Sequence, residues 1–136
     1  MPYCDPFPAV HGSLLVLEDD DELGPLLKDV LTMAGYDVFL ASTHSEAMSH
    51  LTDTPMAAAV LEWSTQKGGA GTLADHLFAQ RIPYVVASGS VAHCMLPVCH
   101  QWARFLPKPF AITDLITAVE ASRDFGVPVE GWPAAR

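Results

Sequence analysis

The chain has 136 residues, half of them hydrophobic, with 7 basic against 16 acidic side chains and a net charge of -9. That length supports one domain with a sizeable core, and the apolar runs are strand-sized rather than membrane-spanning. The acidic balance argues against nucleic acid as a direct partner, since phosphate binding needs a basic surface.

Residues 1–12 carry Pro2, Pro6 and Pro8 without periodicity and read as a flexible lead-in. They lack the basic start and apolar stretch of a signal peptide, so a cytoplasmic protein is expected. A first strand is predicted from Ser13 to Glu18. Asp21 is placed to cap a helix through about Ala34, with Leu23, Leu26, Leu27, Val30, Leu31 and Ala34 on its inner face and Gly35 ending it. A second strand covers Asp37 to Ala41, and Thr43 or Ser45 starts a helix running to about Leu51. The run Ala57, Ala58, Ala59, Val60, Leu61 forms a third strand ending on Glu62, with a loop from Trp63 to Gly71. A third helix is predicted over Thr72 to Gln80, with Leu73, Leu77 and Phe78 inward, then a fourth strand over Tyr84 to Ala87. Pro97 interrupts Val91 to Gln101, where a short or distorted fourth helix is expected. A fifth strand spans Arg104 to Leu106. A last helix covers Ile112 to Arg123, with Leu115, Ile116 and Val119 inward, and residues 124–136 form a non-helical tail in which Trp132 can pack. Strands alternating with helices indicate an α/β fold with a parallel sheet. The domain is expected over residues 13–123.

In a parallel sheet the carboxyl ends of all strands lie on one edge. The strands here end, in order, on Glu18 with Asp19 and Asp20, on Glu62, on Ser88, and on Phe105 to Phe110 with Lys108. Two acids, a hydroxyl and an ammonium therefore converge as an acidic phosphoryl and metal pocket. The carboxylates repel one another, so Lys108 or a divalent cation is expected among them.

The order and spacing resemble the receiver domain of two-component response regulators over about residues 13–123. Glu18 and Asp19 match the acidic pair that holds magnesium in that family. Glu62 takes the position of the phosphorylated aspartate, and Ser88 that of the hydroxyl contacting the phosphoryl group. Lys108, Pro109 and Phe110 match the family's Lys-Pro-Phe, with Phe105 as its aromatic switch residue. The resemblance implies a flavodoxin-like, doubly wound, five-stranded sheet in the order 2-1-3-4-5 with helices on both faces. It implies a stand-alone signalling module, with no room after residue 123 for an output domain. It also implies a protein partner (a histidine kinase, phosphotransferase or output protein), met through the fourth helix, fifth strand and last helix, and a monomer or weak homodimer without membrane association.

Glutamate at position 62 keeps the carboxylate of aspartate but moves it outward by one methylene. Displacing an in-line nucleophile by ~1 Å costs on the order of 100-fold in rate. Phosphorylation-independent signalling by protein contact, without enzymatic activity, is the reading that follows. In that reading Glu62 meets Lys108 or Ser88, either imitating the phosphorylated state or marking a decayed site. Magnesium binding through Glu18, Asp19 and Glu62 is expected to be weak. If Glu62 imitates phosphorylation, Phe105 points inward and Ser88 leans toward Glu62. Two rivals stay open: a phosphoacceptor receiver labelled by a histidine kinase or small phosphodonor, and a flavodoxin-like ligand binder or enzyme.

Other groupings carry less. His93, Cys94, Cys99 and His100 include soft ligands for zinc, but Pro97 interrupts them and no second ligand pair is evident, so the thiols are read as buried or incidental. Lys67, Gly68 and Gly69 lack the ending of a phosphate-binding loop and read as a turn. His44, His50 and His76 read as exposed positions on separate helices, and Trp63 either blocks the pocket mouth or packs on its loop.

Overall fold

A computed structural model of the protein describes residues 8–65 and 68–128. Cys4 and the first seven residues, the loop residue Lys67, and the tail beyond residue 128 with Trp132 lie outside the described residues.

The apolar pentads form β1 (Ser13–Leu17), β2 (Asp37–Ala41), β3 (Ala58–Glu62) and β4 (Tyr84–Ser88), joined by β5 (Arg104–Pro107). All pair in parallel, in the expected order β2-β1-β3-β4-β5. Every residue of β3 and β4 is buried, because a central parallel strand is covered on both faces. Alternation then splits the strand residues between two cores. Leu15, Leu17, Ala59, Leu61, Tyr84 and Val86 pack with α2 (His44–Asp53) and α3 (Ala70–Ala79). Leu14, Val16, Ala58, Val60 and Val85 pack with α1 (Leu23–Met33) and α4 (Ile112–Phe125). Each fully buried Val or Leu contributes roughly 1.5–3 kcal/mol.

The helix ends show which polar side chains direct the chain. α1 starts at Leu23, and Asp20 rather than Asp21 closes the turn leading into it: Asp20 Oδ1 accepts from the amides of Glu22 at 2.9 Å and Leu23 at 2.8 Å. Leu26, expected inward, is 49% exposed; Gly24, Leu27 and Leu31 form the buried face instead. Thr43 caps α2 by accepting from the Glu46 amide, while Glu46 reaches back to the amide and hydroxyl of Ser42. α3 starts two residues before the expected Thr72. Its N-cap, Gly69, has φ +91, and a Cβ there would stand 2.6 Å from His44 Cβ, so glycine lets the loop close onto α2. α4 runs two residues past the expected Arg123.

The largest departure lies between β4 and β5. No fourth α-helix forms there; the chain makes two short 3-10 turns, His93–Met95 and Val98–His100. Leu96 and Pro97 between them are extended (ψ 149 and 143), since a residue before proline avoids the helical region and proline offers no amide hydrogen. The Gln101 side chain takes over part of the missing pairing by donating to Leu96 O at 2.8 Å. Leu96 is buried and plugs the core under α3.

Candidate functional site

Strand alternation decides which charged groups meet at the carboxyl edge. Val16, Val60 and Leu106 belong to the core under α1 and α4. Glu18, Glu62 and Lys108 follow each by two residues and so emerge on the same side. β1 stops at Leu17, yet the Glu18 amide still donates to Ala41 O at 2.9 Å, which anchors its root to β2. The Lys108 amide donates to Ser88 O at 2.9 Å and so sits beside β4.

Lys108 Nζ donates to Glu18 Oε1 at 2.7 Å and pairs with Glu62 Oε1. Both carboxylates are buried, with Glu18 4% and Glu62 6% exposed. Burial pulls the Lys108 pKa down, but hydrogen bonds and charges from Glu18 and Glu62 outweigh it and hold the value above that of ordinary lysine. The second oxygen of each acid closes a local turn two residues on. Glu18 Oε2 accepts from the Asp20 amide at 3.1 Å, and Glu62 Oε2 from the Ser64 amide at 2.9 Å. Each of the four carboxylate oxygens thus has a donor within the protein.

Ser88 is buried beside this trio but bonds elsewhere. Its Oγ accepts from the amides of Ser90 at 3.3 Å and Val91 at 3.2 Å, and it lies 3.3 Å from Ser64 Oγ. The expected lean of Ser88 toward Glu62 is therefore absent. Ser64 stands between them, its amide on Glu62 and its hydroxyl on Ser88 and Ser90. Sequence reasoning missed Ser64; the available signal was its place two residues after a strand-end acid, where a side-chain-to-amide turn closes. Phe105 is half-buried against the core under α2 and α3 and meets the His93 ring at 5.7 Å. Asp19 is half-buried and lines, with Glu18, Asp20 and Glu46, a cavity of about 200 Å3.

For magnesium, the oxygen donors of Glu18, Asp19 and Glu62 are chemically suitable. The Lys108 ammonium already joins two of the three, so a cation there competes with it.

Trp63 does not cover the pocket mouth. It follows Glu62 with opposite alternation, packs with the α2/α3 core, and places its ring 5.8 Å from that of His100. The segment His93, Cys94, Cys99, His100 is not brought together as one ligand set: His93 Nε2 bonds Gln101 O at 2.7 Å and Cys94 is exposed. Cys99 and His100 instead gather with Asp75 of α3. Neither thiol is buried: Cys99 is half-buried where Cys94 is exposed. The three helix histidines are half-buried rather than exposed. His44 and His50 share α2, and His50 Nε2 meets Leu40 O at 3.2 Å.

No family model matches the chain. Over 112 residues it is 29% identical to the transcriptional regulatory protein CpxR of Klebsiella pneumoniae subsp. pneumoniae (strain HS11286) and to that of Escherichia coli (strain K12). These matches cover 81% of this chain and 48% of each relative, so the chain spans about half the length of the curated relatives it matches. Among solved structures, the non-phosphorylated HemR receiver domain from Leptospira biflexa superimposes with TM-score 0.74 at 26% identity, covering 87% of this chain and 98% of that one. A CheY-like response regulator receiver domain protein from Methanospirillum hungatei JF-1 gives TM-score 0.76 at 17% identity, covering 84% and 94%, a likeness of fold alone.

Proposed function

We propose, from the premise that this chain is a response-regulator receiver domain of the two-component kind, that it signals through protein contact without accepting a phosphoryl group at Glu62. The observation that carries this reading is the state of the Glu62 carboxylate. One oxygen is held by Lys108 and the other by the Ser64 amide. An attacking carboxylate needs a lone pair in line with the incoming phosphorus, and here the side chain spans the space toward the ammonium that would otherwise stabilise the transferred group. Ser64 lies between Glu62 and Ser88, and the Ser88 hydroxyl does not reach the Glu62 carboxylate as imitation of the phosphorylated state would require, so Glu62 is read as a site that has lost phosphoryl chemistry. In this reading Glu18, Asp19 and Glu62 bind magnesium only weakly, because Lys108 competes for the same carboxylates.

The contact surface is the face formed by the 3-10 segment, β5 and α4. A groove of about 550 Å3 lies there between His93, Trp102, Arg104, Phe105 and Phe125. Met95 and Val98 on the two 3-10 turns and Phe125 at the end of α4 are 69%, 56% and 79% exposed, apolar side chains open to a protein partner. A histidine kinase, a phosphotransferase or an output protein fits this role in the cytoplasm. Among the described residues no helix is long and apolar enough to cross a membrane.

Intact-mass measurement after incubation with acetyl phosphate and magnesium tests the chemistry. The wild type is expected to remain unlabelled, and Glu62→Asp to gain a phosphoryl adduct, since Glu18, Asp19, Ser88 and Lys108 stay in place. A stoichiometric adduct mapped to Glu62 overturns the reading. Equal capture of partners by wild type and by Glu62→Asp without phosphodonor is expected, and capture lost in Glu62→Asp would instead make Glu62 a stand-in for the phosphoryl charge.

A further inference from the structure

Away from the acidic pocket, α3 and the second 3-10 turn bring together Asp75, Cys99 and His100, whose ligand atoms all lie within 4.8 Å of one another. His100 is 1% exposed, and its two ring nitrogens have different neighbours. Nε2 meets Asp75 Oδ1 at 2.6 Å, and Nδ1 meets the hydroxyl of buried Tyr84 on β4. The rings of Trp63, Phe78 and Tyr84 surround the imidazole, with centroids at 5.8, 6.3 and 5.7 Å. Cys99 is half-buried, and the Asp75 side chain is 71% exposed, so the cluster is walled on the inside and open on one side.

We propose that Asp75, Cys99 and His100 form a binding site for a borderline-soft divalent cation of the zinc type, pinning the segment between β4 and β5 to α3. Carboxylate, thiolate and imidazole are all zinc donors, and three protein ligands with one open position make an established tetrahedral arrangement. A hard cation such as magnesium is disfavoured by the sulfur and nitrogen donors. The Tyr84 hydroxyl supplies the outer partner that a metal-bound histidine characteristically has, and the aromatic wall excludes water from the inner side. The exposed Asp75 provides the entry path and can swing outward to make room between itself and Nε2.

In the neutral tautomer protonated at Nε2, His100 donates to Asp75 Oδ1 and accepts from the Tyr84 hydroxyl at Nδ1. Metal on Nε2 moves that proton to Nδ1, which then donates to the Tyr84 oxygen, and the Cys99 thiol loses its proton to solvent as sulfur binds. The segment so fixed carries Ser90 and Val91, whose amides hold Ser88, so loading restrains that end of the acidic pocket.

The test is titration of the chelator-treated full chain with cobalt(II), a spectroscopic stand-in for zinc, with magnesium in excess to occupy hard oxygen sites. One equivalent is expected to give a thiolate-to-cobalt charge-transfer band and tetrahedral d–d bands, both erased by zinc. Cys99→Ser should abolish the sulfur band, Asp75→Asn should weaken binding at least about tenfold, by analogy with outer-partner losses, and Cys94→Ser should change neither. Cys99 and Asp75 are solvent-accessible, so these variants are expected to keep the wild-type circular dichroism, whereas a change at buried His100 could unfold the core. Absence of a sulfur band, its survival in Cys99→Ser, its loss in Cys94→Ser, or unaltered affinity in Asp75→Asn would each overturn the proposal.

Discussion

Lys108 holds two buried carboxylates with one ammonium, and the consequences of losing it differ from those of losing either acid. In Lys108→Ala, Glu18 and Glu62 remain on the same edge with only backbone amides as donors. Removing one partner from a buried ion pair typically costs about 3–5 kcal/mol. Because the Lys108 side chain is 21% exposed, a loss near 3 kcal/mol is expected, read as a lowered urea midpoint with unchanged slope. The pH dependence has a fixed sign. A lysine whose folded pKa is raised contributes stability that is fully present below the ordinary lysine value and is lost as pH rises through the folded one. Stability from this contact should therefore be flat across neutral pH and decline only in strongly alkaline solution. Alkaline loss that begins well below the lysine range, and disappears in Lys108→Ala, would contradict the assignment.

At the scale of elements, the segment between β4 and β5 carries the most information. Leu96 anchors it, with 2% exposure and packing beneath α3. Leu96→Ala should cost about 2–5 kcal/mol through lost burial and a residual cavity and speed amide exchange across Ser90 to Gln101. A change under 1 kcal/mol would show that the segment is held chiefly by Gln101 and His100. Much of the fold was legible from the sequence because strand ends and alternation are local properties. Val16 to Glu18, Val60 to Glu62 and Leu106 to Lys108 share one period, and the trio follows from it. Pro97 announced a broken helix, but not the form of the break, which depends on Gln101 donating to Leu96 O across five residues. Leu26 was misplaced because a helical stripe defines an inner face only approximately, and Gly24 sits under Leu40 instead, where a Cβ would come within 3.4 Å. The pairing of His100 with Asp75 and Tyr84 spans three elements, and no spacing in the chain encodes it.

For the molecule as a whole, the net charge of -9 complicates any reading of cation binding. A polyanion collects divalent ions diffusely, and that attraction is screened beyond about 8 Å at physiological ionic strength. Calorimetric titration with magnesium in ~0.15 M salt is therefore the measurement that isolates the acidic pocket. Weak binding is expected for the wild type and tighter binding for Glu62→Asp, whose shorter side chain withdraws from Lys108. Tight stoichiometric binding that Glu62→Asp leaves unchanged would show that the extra methylene is electrostatically silent. Trp63 fluorescence is a poor reporter for this pocket, since its ring faces His100 on the other side of the sheet, but it should respond to cobalt at Asp75, Cys99 and His100.

The contact between Glu62 and Lys108 also differs from an acyl phosphate in its lifetime. An aspartyl phosphate is a mixed anhydride, and its hydrolysis runs as a clock that ends the signal. A carboxylate against an ammonium contains no bond for water to cleave, so it persists as long as the sheet edge that positions both groups. Under the proposed function, without phosphoryl transfer at Glu62, the module would be timed by its synthesis and degradation, and its output would scale with the number of copies rather than with the fraction of them charged.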